Sequence, residues 1–550
     1  MSRDRLFLVI ASALFLGLAT YQLILPGLHY DEAFEAVPAL QLVLGQPTTT
    51  FRGNGISIGG LLFPLMTQDY IGAINTYAAI PFLGLLGVNS IGLRALGVVI
   101  GWLTLWLTFR LAAGLYGSPA AILAALLLAV NPSFVFWSRQ GVFVTSVTAA
   151  IGLGAALAWL RWWRTGGRCY AMLGAFLLGL GLYAKLLFLW FIFALGLACL
   201  LLNLDRWRYA IGRLVNGPWG WSGLAFVLGS APLIVYNLQT GGTLASIGSN
   251  LTLSYYGTNN LAFGSNLLER VRQFGALLAG NHFWYLGQAH ASWLNLGLFG
   301  LALGVTLWLA VSAPRGQARR AVLPFVVIGG VILASCVTVS ALWVTHFAIL
   351  APWPPLAIAA AADLFVRRSR LYLPQWRVNL ALLLALVIIG ASWLTDLATD
   401  LRYHAALAVS GGLGAHSDAG EDLARWLAAD ERRGMPVVAM DWGIAAPVTF
   451  LTQGKVTPVE AFGYAWETDA DFAARLERFI ENPASIYLWR SPDEIIFDRS
   501  RDFKRLYEAH DLEEDILEAF YEHSGRPVLG ATRLVPKGTA LNPPRPLVGD

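Results

Sequence analysis

The chain has 550 residues, of which 56% are hydrophobic and only 13% charged, with 21 tryptophans and a mean hydropathy of +0.58. A soluble domain carries charge on about 25% of its residues, so this composition excludes a water-soluble protein over most of the length and points to a bilayer. Three cysteines, all within apolar runs, exclude a disulfide framework or a cysteine metal centre, and nothing in the net charge of +4 indicates a nucleic-acid partner.

In chain order, the basic start Met1–Arg5 and the uncharged run after it predict an uncleaved signal anchor with the N-terminus cytoplasmic. Runs of roughly 20 apolar residues predict eleven spans. They lie at 6–25, 91–113, 119–137, 142–162, 169–184, 186–204, 220–237, 295–313, 321–341, 347–365 and 378–395. With this number the arginine clusters 3/5, 161/164/168, 206/208/213, 315/319/320 and 367/368/370/377 share the cytoplasmic side. A twelfth span at 70–88 would reverse the later clusters, so that stretch is expected in the interface or re-entering from outside. The same parity requires two spans in 169–204, turning near Lys185.

Residues 1–395 are thus a transmembrane domain with outer loops 26–90 and 238–294, the second containing an amphipathic piece at 266–280. Residues 396–550 hold 42 of the 72 charged residues and read as a soluble, extracytoplasmic α/β domain. Its predicted elements are a helix at 418–433 opened by a Ser417-Asp418 cap with Glu421, a strand at 436–440 and a helix at 469–480. A strand at 485–489 and further helix at 506–521 complete it. Asp441-Trp442-Gly443, at a strand end, reads as a structural turn. There is no internal repeat.

Of the 34 acidic residues only eight fall within the first 395, and Asp31, Glu32, Glu35 and Asp69 share the first outer loop. Carboxylates are costly near a bilayer, which marks them for chemistry. Helix capping is the bland reading of Asp31 and Glu32. The outward cations include Arg94, Arg139, Lys185 and Arg270, at the depth of a lipid-linked phosphate. Interfacial snorkelling is the bland reading there. A base beside such cations suits sugar transfer from a polyprenyl phosphate, in which an acid deprotonates the acceptor and cations stabilise the departing phosphate.

His29-Tyr30-Asp31-Glu32-Ala33, Tyr70-Ile71-Gly72-Ala73 and Gly87-Val88-Asn89-Ser90-Ile91-Gly92-Leu93-Arg94 occur in order, followed by Asn131-Pro132-Ser133-Phe134 with Trp137-Ser138-Arg139. Then come Gly181-Leu182-Tyr183-Ala184-Lys185 and His346-Phe347 through Pro352-Trp353-Pro354. In these segments the chain resembles the GT-C membrane glycosyltransferases, in the group of protein O-mannosyltransferases and aminoarabinose transferases. The resemblance implies a polytopic α-helical fold and transfer from a polyprenyl-phosphate-linked sugar to a lipid, glycan or protein acceptor. By it Asp31 is the base with Glu32 beside it. By it, too, Arg139 and Lys185 hold donor phosphate; Arg94, with Arg270 and His346 compensating for departures from the group's pattern, is also expected at the phosphate, and Asp69, Tyr70 and His29 are expected to meet the acceptor. The chain departs from the group in lacking a second Arg after Arg139 and in having His346 where many members have Arg-Tyr. The sequence specifies no cofactor; a divalent metal is the one option the carboxylates leave open, although no His pair has ligand spacing. A transporter or lipid flippase with an outer binding domain is the competing reading. Against it stand spans nearly free of charge at mid-depth and no matching halves.

Overall fold

The structure, a computed structural model, describes residues 3–140, 143–202, 208, 212, 215–254, 257–338, 342–462 and 468–542. Arg206 and Arg213 lie outside the described residues, as do the edges of the expected spans at 142, 203–204 and 339–341.

Apolar runs form the membrane part, with Pro232 and Pro324 accommodated inside two of its long helices. Helix α1 (Arg3–Thr20) leads into α2 (Tyr30–Leu44), two short hairpins and α3 (Ile74–Leu86). The hairpins pair β1 (Gly55–Ile58) with β2 (Leu61–Pro64), and β3 (Met66–Gln68) with β4 (Ile71–Gly72), both antiparallel. Then follow α4 (Ser90–Leu115), α5 (Ser118–Ala129), α6 (Pro132–Arg139), α7 (Phe143–Thr165), α8 (Arg168–Ala184), α9 (Leu189–Leu201) and α10 (Trp219–Thr240). After these come α11 (Gly242–Ser249), α12 (Phe263–Ala279), α13 (Trp293–Ser312), α14 (Arg315–Ala334), α15 (Trp353–Tyr372) and α16 (Gln375–Ser410).

Among the described residues five helices (α4, α10, α13, α14 and α16) are long and apolar enough to cross a bilayer. The count rises to seven if two bent pairs are each one span. One pair is α5 with α6, bent by 61° at Asn131-Pro132; the other joins the 3-10 turn Val344–Leu350 to α15, bent by 43°. Proline at the first helical position, behind an Asn131 cap that accepts from the Phe134 amide at 3.1 Å, starts α6 in its new direction. Helix α3 has 13 residues, roughly 20 Å at 1.5 Å per residue, and α9 has the same length, each shorter than the hydrocarbon core of a bilayer. The chain does turn between α8 and α9 at Lys185.

Two close approaches position the end of the bundle that carries the first loop. A Cβ on Gly72 would lie 2.3 Å from the Tyr183 carbonyl oxygen, so only glycine lets β4 lie against the end of α8. There Ile71 bridges Lys185, and the Leu186 amide donates to the Tyr70 carbonyl at 2.9 Å. A Cβ on Gly27 would lie 2.1 Å from the Ser417 oxygen, which seats the C-terminal domain on the first loop.

Helix α16 runs through the expected 395/396 boundary to Ser410 and ends on Gly411 in a left-handed conformation. Beyond it lie α17 (Ala419–Leu427), β5 (Val437–Ala439), α18 (Ala445–Leu451), β6 (Val459–Glu460), α19 (Asp469–Ile480), β7 (Ile486–Arg490), α20 (Ser500–Ala509), β8 (Leu512–Tyr521) and β9 (Pro527–Pro536). The sheet order is β6-β5-β7-β9-β8, with β5 parallel to β6 and β7, and β9 antiparallel to β7 and β8. The expectation of helix over 506–521 is corrected. Residues 512–521 form a strand, because pairing with β9 overrides the helical propensity of a Leu- and Glu-rich run. The capping box expected at Asp418 is also absent. That carboxylate instead accepts from His523 Nε2 at 2.9 Å, and Ser417 Oγ accepts from the Ala419 amide. Asp441 is buried and accepts from the Ile496 and Phe497 amides, consistent with the structural turn expected there.

Candidate functional site

Helix α2 carries the acidic cluster at its start. His29 is the cap: its Nδ1 accepts the Asp31 amide at 3.2 Å, and Asp31 and Glu32 occupy the first turn, where the helix dipole favours them. The three carboxylates of this helix meet different surroundings. The Asp31 side chain is 74% exposed. Glu32 is buried, and both its oxygens accept from Arg94, at 2.9 Å from Nε and 3.0 Å from Nη2. Glu35 is buried, accepts from Asn75 Nδ2 at 2.6 Å, and is pushed by burial up to about 8.

The expected cations separate into two groups. Arg94 also donates to the carbonyls of Leu23, Ile24 and Gly27, so all five guanidinium N–H groups are engaged. Nearby, Arg139 is fully buried and its Nη2 donates to the Tyr21 and Gln22 carbonyls, while its Nε and Nη1 have no partner among the described residues. Arg94, Glu32, Tyr285 and Asp400 all act electrostatically on it. The second group is Lys185, Arg270 and His346. Burial lowers the Lys185 ammonium, whereas Glu35 and Asp31 raise it, so both acids lie within electrostatic reach. Lys185 and Arg270 both act on His346. Arg270 Nε donates to the Ser335 carbonyl at 3.3 Å, and His346 Nδ1 accepts the Trp343 amide at 3.1 Å. Asp31 thus acts electrostatically on Lys185, whereas the acids that act on Arg139 are Glu32 and Asp400.

The residues expected to meet acceptor are dispersed. Asp69 accepts from Arg52 at 3.0 and 2.7 Å and from Tyr236 Oη at 2.7 Å, a knot joining the hairpins to α10. Tyr70 contributes its carbonyl to the Lys185 turn. The His29 ring lies against His416, which lies against Tyr285, and the Tyr285 hydroxyl donates to Gln140 at 2.6 Å. Sequence reasoning left Glu35, Asn75, Tyr285 and His416 without roles. The i, i+4 spacing of Asp31 and Glu35 was a readable signal for one of them; the two rings from distant segments gave none. Among the described residues no three His, Cys, Asp or Glu side chains converge as a metal site.

Between the first loop and the C-terminal domain runs a cleft of ≈ 420 Å³, with Phe34, Val37, Pro38 and Gln41 on one wall and Ala445, Thr449 and Glu460 on the other.

The chain resembles solved structures along its whole length. ArnT from Cupriavidus metallidurans, bound to undecaprenyl phosphate, superposes with a TM-score of 0.61 at 14% identity, covering 98% of this chain and 99% of that one. The chain has the GT-C fold. The apo state of the same ArnT gives 0.60 at 14% identity over 96% and 97% of the two chains. An oligosaccharyltransferase from Archaeoglobus fulgidus gives 0.50 at 14% identity over 89% and 69%. The family model for dolichyl-phosphate-mannose-protein mannosyltransferase matches residues 76–236, the part of this GT-C fold from α3 to α10. No curated protein sequence matches the chain.

Proposed function

We propose that the chain is an inverting glycosyltransferase that moves a sugar from a polyprenyl-phosphate donor to an extracytoplasmic acceptor hydroxyl, with Asp31 as general base. The observation that carries this reading is the arrangement on α2. One carboxylate, Asp31, is open to solvent and reactants, while its two neighbours are committed, Glu32 to Arg94 and Glu35 to Asn75. Lys185, on its turn, lies within electrostatic reach of Asp31, and both Lys185 and Arg270 act on His346.

In the step, the acceptor oxygen forms a bond to the anomeric carbon as its proton passes to Asp31. The bond from that carbon to the phosphate oxygen breaks, and the phosphate leaves with the electron pair. Lys185 stabilises the charge gathered there, worth more in a water-poor site than in bulk water. This reading keeps Lys185, Arg270 and His346 for the donor phosphate and gives Arg94 and Glu32 a framing role, since their hydrogen-bonding capacity is spent on each other and on carbonyls. Arg139 keeps the three N–H groups of Nε and Nη1 for an incoming oxygen. That ArnT binds undecaprenyl phosphate in the same fold supports a polyprenyl carrier here.

The arginine distribution supports a cytoplasmic N-terminus and an extracytoplasmic C-terminal domain. Cysteine accessibility labelling at position 31 in whole cells tests the sidedness. Release of sugar from an undecaprenyl-phosphate donor by the purified full-length protein tests the reaction; no turnover of any such donor would refute it.

A further inference from the structure

We propose that the cleft between the first outer loop and the C-terminal domain holds the acceptor, and that this acceptor is an uncharged amphipathic alcohol. The inference rests on the transfer reaction above and adds to it the class of the second substrate.

Phe34, Val37, Pro38 and Gln41 recur at helical spacing along α2 and form one continuous wall. Glu35, four residues after Asp31, faces instead toward Asn75 and Lys185. Helix α2 therefore separates two compartments: phosphate-seeking cations on one flank, a largely apolar cleft on the other. Asp31 heads the helix between them. Phe34 lies one turn from Asp31, a Cβ separation of roughly 5–6 Å, so a hydroxyl emerging past the Phe34 ring reaches the base. The attacking oxygen then approaches the anomeric carbon from the side away from the phosphate, as inversion requires.

Charge decides the acceptor class. Among the described residues Arg52 and Glu460 are the charged side chains in the lining. Arg52 is bound through two nitrogens to Asp69, which cancels its charge. Glu460 has no such partner among the described residues and burial pushes it up to about 7, so above that pH the cleft presents an uncompensated carboxylate and repels a phosphate or carboxylate on the acceptor. Its remaining polar groups are neutral: threonine hydroxyls and Gln41, the latter already bonded to Thr49 in both directions. Apolar walls with a few neutral polar groups suit a molecule with an apolar body and hydroxyls, and the volume is within the range of small-molecule sites.

The test uses the full-length protein in detergent and two photoreactive probes, a diazirine-bearing octyl glucoside and its 6-phosphate, with labelled residues mapped by mass spectrometry. The neutral probe should label residues between Phe34 and Met66 and between Ala445 and Glu460, and the phosphorylated probe should do so at least about tenfold less. Thr457→Trp, at an exposed lining position, should suppress the neutral labelling, and Glu460→Lys should restore labelling by the phosphorylated probe. Both variants should bind undecaprenyl phosphate like the parent protein, which shows that they are folded. Labelling elsewhere, equal labelling by both probes, or indifference to Thr457→Trp would overturn the proposal. Hydrolysis of the donor without acceptor reports on Asp31 and Lys185 separately, so failure of the transfer reading is distinguishable from failure of the acceptor site.

Discussion

The imidazole of His29 lies flat on that of His416, ring centroids 4.1 Å apart and planes 10° from parallel. His416 in turn stacks on Tyr285 at 3.8 Å, so one column of rings ties the cap of α2 to the C-terminal domain and to the second outer loop. Because His29 also accepts the Asp31 amide, the column fixes the backbone that presents the proposed base. Replacing His416 by Ala should lower the turnover rate roughly three- to tenfold, the worth of one aromatic pair spent on positioning, while His416→Phe should recover most of it. Steady-state kinetics at saturating donor checks this; equal rates for the two variants would refute the positioning role.

The same column makes the fold acid-sensitive. Burial holds His29 and His416 below the ordinary imidazole value, and a charge on either ring would oppose charging the other. Below pH about 6.5 the unfolded chain therefore binds more protons than the folded one, and stability falls as pH drops. Melting temperature against pH in detergent should show this decline, and it should be shallower in His416→Phe.

Glu35 gives the opposite sign. Burial raises it to about 8, so from the ordinary carboxylate range up to that value the folded protein holds the extra proton. Stability is fully present at low pH and is lost as pH rises through about 8, at up to about 1.4 kcal/mol per pH unit. Glu35→Gln keeps an acceptor for Asn75 and removes the titration. Its melting temperature should exceed that of the parent at pH 9 and match it near pH 5.

Asp31→Asn should reduce transfer by roughly 10²–10⁴-fold, the usual contribution of a positioned base. Lys185→Met should weaken undecaprenyl-phosphate binding about 10- to 100-fold, the loss of one charge-assisted bond. Asp31→Asn should leave that binding nearly unchanged, and scintillation proximity binding alongside turnover separates the two effects.

Arg94 and Glu32 should behave as a unit. Removing either leaves the other charge buried, at a cost of about 3–5 kcal/mol, whereas Arg94→Met with Glu32→Leu together removes both charges and should cost much less. A double-mutant cycle on thermal stability measures the coupling, and additive losses would contradict the pairing.

The sequence by itself determined the class of this protein. Apolar runs, a charged last quarter and motifs in order specified a helical membrane fold with an α/β domain, because hydropathy is a local property. It also drew attention to the first-loop acids, because carboxylates are scarce elsewhere in the membrane part. The tertiary structure decided what each acid does. Asp31, Glu32 and Glu35 are near-identical in sequence terms, yet an arginine 62 residues away engages one, an asparagine 40 residues away holds another, and the third is left open. The strand at 512–521 and the ring column depended likewise on partners distant in sequence. Protonation and strand pairing are set by such neighbours, and local pattern carries no record of them.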